Sequence, residues 1–191
     1  IIVGERLYVR FNDDDVKFYD DIGLNVKKED GYIAFCGKLL GGCYAVSASA
    51  TSQNLSGLIM ALPTISENST VYISYAVSRG YTLMTLKMLE KFGVKHTADN
   101  LHIKLVEKYK ETTFSVSGDY SAAANFALLG TLKHSLNVLG LAEDCAQPDK
   151  AFLKILNNSG GKAYFDGGTL CVRKAEDLHG FCADLTDTPD V

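Results

Sequence analysis

Ser47-Ala48-Ser49-Ala50-Thr51-Ser52-Gln53 places small hydroxyl side chains just ahead of an amphipathic run, where a helix would begin. The first N–H groups of a helix have no intrahelical acceptor and carry the positive end of its dipole, so hydroxyls gathered there suit a phosphate. The plain alternative is that Thr51 or Ser52 only caps the helix. Val77-Ser78-Arg79-Gly80-Tyr81 repeats the pattern at a second strand-to-helix junction, which leaves binding and capping both open. Arg10 is a lone cation beside Asp13-Asp14-Asp15, acids with which it could simply pair. Asp184 to Asp190 concentrates carboxylates at what reads as a strand exit, with a solvated turn as the alternative. His96, His102, His134 and His179 have no Ser, Cys or metal-ligand partner at useful spacing, which speaks against a hydrolase triad or a zinc site. The Gly pairs match neither dinucleotide nor P-loop spacing.

The elements that must hold these residues follow from periodicity. Leu55, Leu58, Ile59 and Leu62 recur at helical spacing over Ser52 to Leu62, and Pro63 stops the helix. Val71, Ile73, Tyr75 and Val77 alternate on one face of a half-buried strand over Thr70 to Val77. Tyr81 to Phe92 reads as a helix with Met84 and Met88 as core filler, and Gly93 ends it. The order then repeats: helix Ser121 to Leu132, strand Leu136 to Leu141, helix from Pro148 to Asn157, then a strand through Val172. Asn12 and its three acids read as another helix start, whereas Ile2 to Val9 alternates as though inside a strand. Gly23, Gly93 and Gly160 each end a helix-like segment, lie 70 and 67 residues apart, and are followed ten positions later by Ile33, Ile103 and Leu170. A period this long predicts duplicated supersecondary units in an α/β protein. The charged, weakly periodic stretch Lys104 to Thr113 marks a crossover between residues 1–113, with about one and a half units, and 114–191, with one.

The chain has 191 residues, 47% of them hydrophobic, which is ample for a core. Its 19 Lys and Arg against 23 Asp and Glu, a net charge of −4, argue against nucleic acid as a partner, and no apolar stretch suits a membrane span. The 5 scattered cysteines read as reduced, buried thiols of a cytoplasmic protein. An opening at Ile1 with neither initiator Met nor targeting segment reads as a fragment.

Thr51-Ser52-Gln53-Asn54-Leu55 through Pro63 resembles the SSQ-containing helix of 5-enolpyruvylshikimate-3-phosphate (EPSP) synthase. Further matches come in the family's order. Gly4-Glu5-Arg6 through Arg10 resembles its GExRMxxRP segment, and Ser78-Arg79-Gly80-Tyr81 with Thr85-Leu86 resembles SKPY-x3-TL. Val116 to Ala123 resembles VEGDASSA, and Asp184 to Asp190 resembles DxxDxPD. The resemblance implies repeated βαβαββ units in an inside-out α/β barrel, with this chain spanning parts of two lobes. It also implies transfer of the enolpyruvyl group of phosphoenolpyruvate to the 5-hydroxyl of shikimate 3-phosphate, without a cofactor, by a protein that is monomeric when intact.

Matched position by position, Thr51, Ser52 and Ser78 would bind the shikimate phosphate, with Gln53 and Tyr81 lining that site. Arg10, with Gln53, would bind phosphoenolpyruvate, and Asp190 would contact the shikimate hydroxyls and assist proton transfer. Phe11 stands where the family has Pro, Arg79-Gly80 where it has Lys-Pro, and Tyr120 where it has a small residue. The family's N-terminal Lys-Ser segment, its LGNAGTxxR loop and its C-terminal Lys, Glu and Arg have no counterpart here, so the chain alone is expected to be inactive. Two rivals share the fold: the enolpyruvyl transferase acting on UDP-N-acetylglucosamine, and a non-catalytic binding module.

Overall fold

A computed structural model describes residues 1–48, 52–65, 68–76, 78–99, 102–106 and 108–191, without the side chains of residues 48 and 76. The chain divides into two compact units, Ile1–Thr112 and Thr113–Val191.

The first unit begins with a short helix α1 (Glu5–Arg10), then α2 (Asp13–Asp21) and an antiparallel hairpin β1 (Asn25–Glu29) and β2 (Tyr32–Cys36). Asn12 caps α2 through a capping box: its side chain accepts from the Asp14 and Asp15 N–H groups, and the Asp15 carboxylate accepts from the Asn12 N–H. Next come β3 (Cys43–Ala48), α3 (Ser52–Ala61), β4 (Ser69–Ala76), α4 (Arg79–Lys91), β5 (His96–Ala98) and β6 (His102–Leu105). Their sheet has the order β3-β4-β6-β5, with β3 and β4 parallel and the rest antiparallel. Leu55, Leu58 and Ile59 of α3 and Leu86 and Leu89 of α4 bury against Val46, Val71 and Ile103 of that sheet.

The second unit contains α5 (Tyr120–Leu132), β7 (Leu136–Val138), α6 (Phe152–Asn158), β8 (Lys162–Asp166) and β9 (Thr169–Arg173). Pro148 opens a 3-10 turn that leads into α6. The sheet order β7-β9-β8 reproduces β4-β6-β5 of the first unit. Tyr120 is fully buried at the head of α5, and burial, followed by the nearby Cys145, pushes its phenol pKa up. It stays protonated and donates to the Ala142 carbonyl at 2.8 Å.

The sequence repeat is a structural one. Gly23, Gly93 and Gly160 follow α2, α4 and α6 with φ of 84°, 79° and 93°, and each closes its helix with the same pair of bonds. The glycine N–H donates to Asp20, Glu90 or Asn157, and the next N–H to Tyr19, Leu89 or Leu156, the Schellman pattern. A hairpin follows each, and Ile33, Ile103 and Leu170 are its buried anchors at 1%, 2% and 0% exposure. The backbones match, but the space beside each glycine differs. A Cβ on Gly23 meets nothing, one on Gly93 meets the flexible side chain of Lys110, and one on Gly160 lies 2.6 Å from the Asp177 carbonyl oxygen. Gly23→Ala and Gly93→Ala should therefore each cost about 1 to 2 kcal/mol for the left-handed backbone alone, with Gly160→Ala costing clearly more. Urea unfolding checks the ranking, and equal losses at all three positions would contradict it.

Four expectations need correction. Ile2 to Val9 is not a strand. Only Ile2 bridges to Ile33, and α1 follows with none of its residues buried. Tyr75 does not share the buried face of Val71 and Ile73: pairing steps from Val46–Ile73 to Ser47–Tyr75, so Ser74 is an extra residue and the bulge turns Tyr75 to solvent. Val77 lies outside the described residues. Strand β7 stops at Val138, short of Leu141, because Gly140 takes a left-handed φ of 83°. The cysteines are all free, but only Cys171 is buried, while Cys36, Cys43 and Cys182 are exposed.

Candidate functional site

Because β3 and β4 are parallel and each is followed by a helix returning along the sheet, α3 and α4 run parallel and both begin at the C-terminal edge of those strands. Ligands of open α/β sheets gather at that edge. One turn into α3 and nearly two turns into α4, the Ser56 hydroxyl donates to the Thr85 hydroxyl oxygen at 3.3 Å, which fixes the helices side by side. Ser52 and Gln53 therefore open one helix beside the first turn of the other, the turn that Ser78 and Tyr81 begin. Thr51 lies outside the described residues.

Ser52 is buried at 6% exposure, Gln53 is exposed, and Ser78 and Tyr81 are half-buried. Ser78 is the N-cap residue of α4, yet its side chain makes no bond to the helix N–H groups, so it does not serve as an ordinary side-chain cap. Its backbone is left-handed, with φ 51° and ψ 45°, the only non-glycine among the described residues with positive φ. Such a conformation costs about 1 to 2 kcal/mol, and strain of this kind concentrates at binding sites. The Ser78 carbonyl accepts from the Tyr81 N–H at 3.1 Å, and the Tyr81 carbonyl from the Thr85 hydroxyl at 2.9 Å. This run of bonds locks the first turn.

A second tie reaches the segment of Arg10. Asn54, in the first turn of α3, donates its side-chain amide to the Asp15 carboxylate at 2.6 Å. Asp15 is also the capping partner of Asn12, two residues past Arg10. The α1–α2 junction is thus pinned to the start of α3. Arg10 is exposed at the end of α1, and among the described residues no ion pair joins it to Asp13, Asp14 or Asp15. Phe11 keeps the φ of −70° that a proline would impose while its ring packs on Tyr19 and Phe35. The Lys28 ammonium donates to the Phe11 carbonyl at 2.6 Å, which holds the junction from its other side. Asn54 and Asp15 were not visible as a pair in the sequence, since 39 positions separate them and neither type nor spacing signals the contact.

Asp184 to Asp190 is a pair of turns, and no strand leads into it. The Asp184 carboxylate accepts from both the N–H and the hydroxyl of Thr186, bonds that hold its pKa below the ordinary range. Thr188 is buried at 7% exposure and anchors the turn that presents Asp190 at the surface of the second unit. Among the described residues no group of His, Cys, Asp and Glu side chains is arranged to hold a metal ion.

The family model of EPSP synthase (3-phosphoshikimate 1-carboxyvinyltransferase) matches residues 13–191. The chain belongs to the EPSP synthase family. A 3-phosphoshikimate 1-carboxyvinyltransferase of Clostridium perfringens is 33% identical over 189 residues, covering 96% of this chain and 43% of the relative. One from Brachyspira hyodysenteriae is 30% identical over 193 residues, covering 98% of this chain and 46% of the relative. The chain thus spans less than half the length of these curated relatives. A solved EPSP synthase from Acinetobacter baumannii superposes with a TM-score of 0.65 at 20% identity over 98% of this chain and 45% of that one. The EPSP synthase fold, built of repeated α/β units, is therefore the fold of this chain. No helix among the described residues is long and apolar enough to cross a membrane.

Proposed function

We propose that this chain carries the shikimate-phosphate side of a 3-phosphoshikimate 1-carboxyvinyltransferase, which transfers the enolpyruvyl group of phosphoenolpyruvate to the 5-hydroxyl of shikimate 3-phosphate and releases phosphate. The observation that carries this reading is the side-by-side start of two parallel helices, with Ser52 and Gln53 on one and Ser78 and Tyr81 on the other. Ser52, Ser78 and, by its motif match, Thr51 donate hydroxyl bonds to the substrate phosphate, and the helix N–H groups and dipoles add to its binding. Gln53 and Tyr81 line the site, and Gln53 and Arg10 hold phosphoenolpyruvate. In the transfer a C–O bond forms to the 5-oxygen, the C–O bond to phosphate breaks, and the hydroxyl proton must leave. Asp190 contacts the shikimate hydroxyls and assists that proton transfer. Residues 1–113 belong to the N-terminal lobe and 114–191 begin the C-terminal one. The intact protein works in the cytoplasm as a monomer, with small-molecule substrates and no cofactor. The names of the relatives support shikimate 3-phosphate over a UDP-sugar as acceptor.

The test is product analysis with the full-length protein. Shikimate 3-phosphate and phosphoenolpyruvate should yield one phosphate per enolpyruvyl ether formed, with UDP-N-acetylglucosamine inert as acceptor. Turnover of the UDP-sugar, or of neither acceptor, would overturn the reading. Arg10→Lys keeps the charge but loses the planar two-pronged donor, so the KM for phosphoenolpyruvate should rise about tenfold, the equivalent of one charge-assisted bond of about 1.5 kcal/mol. Unchanged steady-state constants would remove Arg10 from the site.

A further inference from the structure

Thr82 sits in the first turn of α4, on the stripe it shares with Leu86 and Leu89, and is only 6% exposed. Its hydroxyl is buried and has no hydrogen-bond partner among the described residues. A buried hydroxyl almost always finds one, and a helical threonine has the carbonyl four residues back within reach. Here that carbonyl belongs to Ser78, whose left-handed backbone points it to the Tyr81 N–H instead. Side chains of a helix lean toward its N-terminus, so the Thr82 hydroxyl is directed toward the level of Ser78, four residues back on the same face. Across the helix pair, the Thr85–Ser56 bond puts Thr82 level with Ser52, each one turn before a bonded residue. Three hydroxyls therefore belong to the first turns of the two helices: Ser52 buried, Ser78 not used as a cap, and Thr82 buried without a partner among the described residues.

We propose that Thr82 is a further ligand of the oxyanion site, donating its hydroxyl to an oxygen of the bound phosphomonoester. The inference rests on the phosphate-site reading above and adds to it a residue that no motif match assigns. The bound oxyanion supplies the acceptor that the protein withholds. In the unliganded chain the hydroxyl is a cost, and on binding it becomes a contact.

Opposite effects on stability and affinity test the proposal. Inorganic phosphate is titrated into the 191-residue chain, with binding followed by phosphorus NMR line width and stability by thermal melting. Thr82→Val removes the hydroxyl at nearly constant shape, so its melting temperature without phosphate should equal or exceed the wild type's, while its phosphate affinity falls about tenfold. Thr82→Ser should restore the affinity. If the wild type and Thr82→Val bind phosphate equally while Ser52→Ala weakens it, Thr82 is not a ligand and the phosphate site still stands. If the wild type binds no phosphate, both readings fall. If Thr82→Val lowers the melting temperature and leaves affinity intact, the hydroxyl is structural and the proposal is overturned.

Discussion

Asp190→Asn in the full-length protein should lower kcat by roughly 10²- to 10⁴-fold, the usual contribution of a positioned proton-transfer group, while the KM for shikimate 3-phosphate changes only a few-fold. The amide keeps the shape and can still bond a substrate hydroxyl, but it cannot take the proton that the 5-hydroxyl loses. The turn itself should survive, because its anchors are the buried Thr188 and the bond from the Thr188 N–H to the Leu185 carbonyl at 3.0 Å. Asp184→Asn is the matched control. That carboxylate spends itself on Thr186 within its own turn, and an asparagine oxygen can accept the same two bonds, so turnover should be nearly unchanged. A comparable loss of kcat in both variants would point to damage to the turn rather than to proton transfer.

The second large effect is expected at the helix starts. Ser52→Ala with Ser78→Ala should weaken shikimate 3-phosphate binding by about 1.5 to 3 kcal/mol for each charge-assisted bond lost, with melting nearly unchanged. A capping role predicts the reverse, a loss of about 1 kcal/mol in stability with binding intact. Ser78 already departs from the capping expectation, since its side chain bonds none of the helix N–H groups. Its left-handed backbone supplies a sharper variant. Ser78→Gly relieves the strain while deleting the hydroxyl, so stability should rise as affinity falls. Calorimetric titration and melting curves on the same samples read both quantities.

The parts of this molecule that were legible in its sequence are those set by local chemistry. Helix-ending glycines at a regular period announced three copies of one helix-turn-strand arrangement, because each must adopt a positive φ and glycine does so at least cost. Asn12 and its three acids showed as a helix start because acids favour the first turn, and the structure adds the capping box that Asn12 and Asp15 complete. Tyr75 was misplaced because alternation presumes an unbroken register, and the extra residue at Ser74 is set by pairing with β3. The hydrophobic alternation of Ile2 to Val9 misled because α1 buries none of its side chains, so no face was being selected. At the site, small hydroxyls at two helix starts were visible. The tie from Asp15 to Asn54, the left-handed Ser78 and the partnerless Thr82 were not, since each depends on how distant segments meet.

Location of a bound phosphate tests the central claim most directly: that two parallel helix starts share one anion. Crystals of the chain grown with phosphate should show a tetrahedral density within about 3 Å of both the Ser52 and the Ser78 hydroxyl oxygens, ordinary hydrogen-bond distance. Phosphate bound elsewhere with this gap empty, or hydroxyls more than about 10 Å apart, would contradict it.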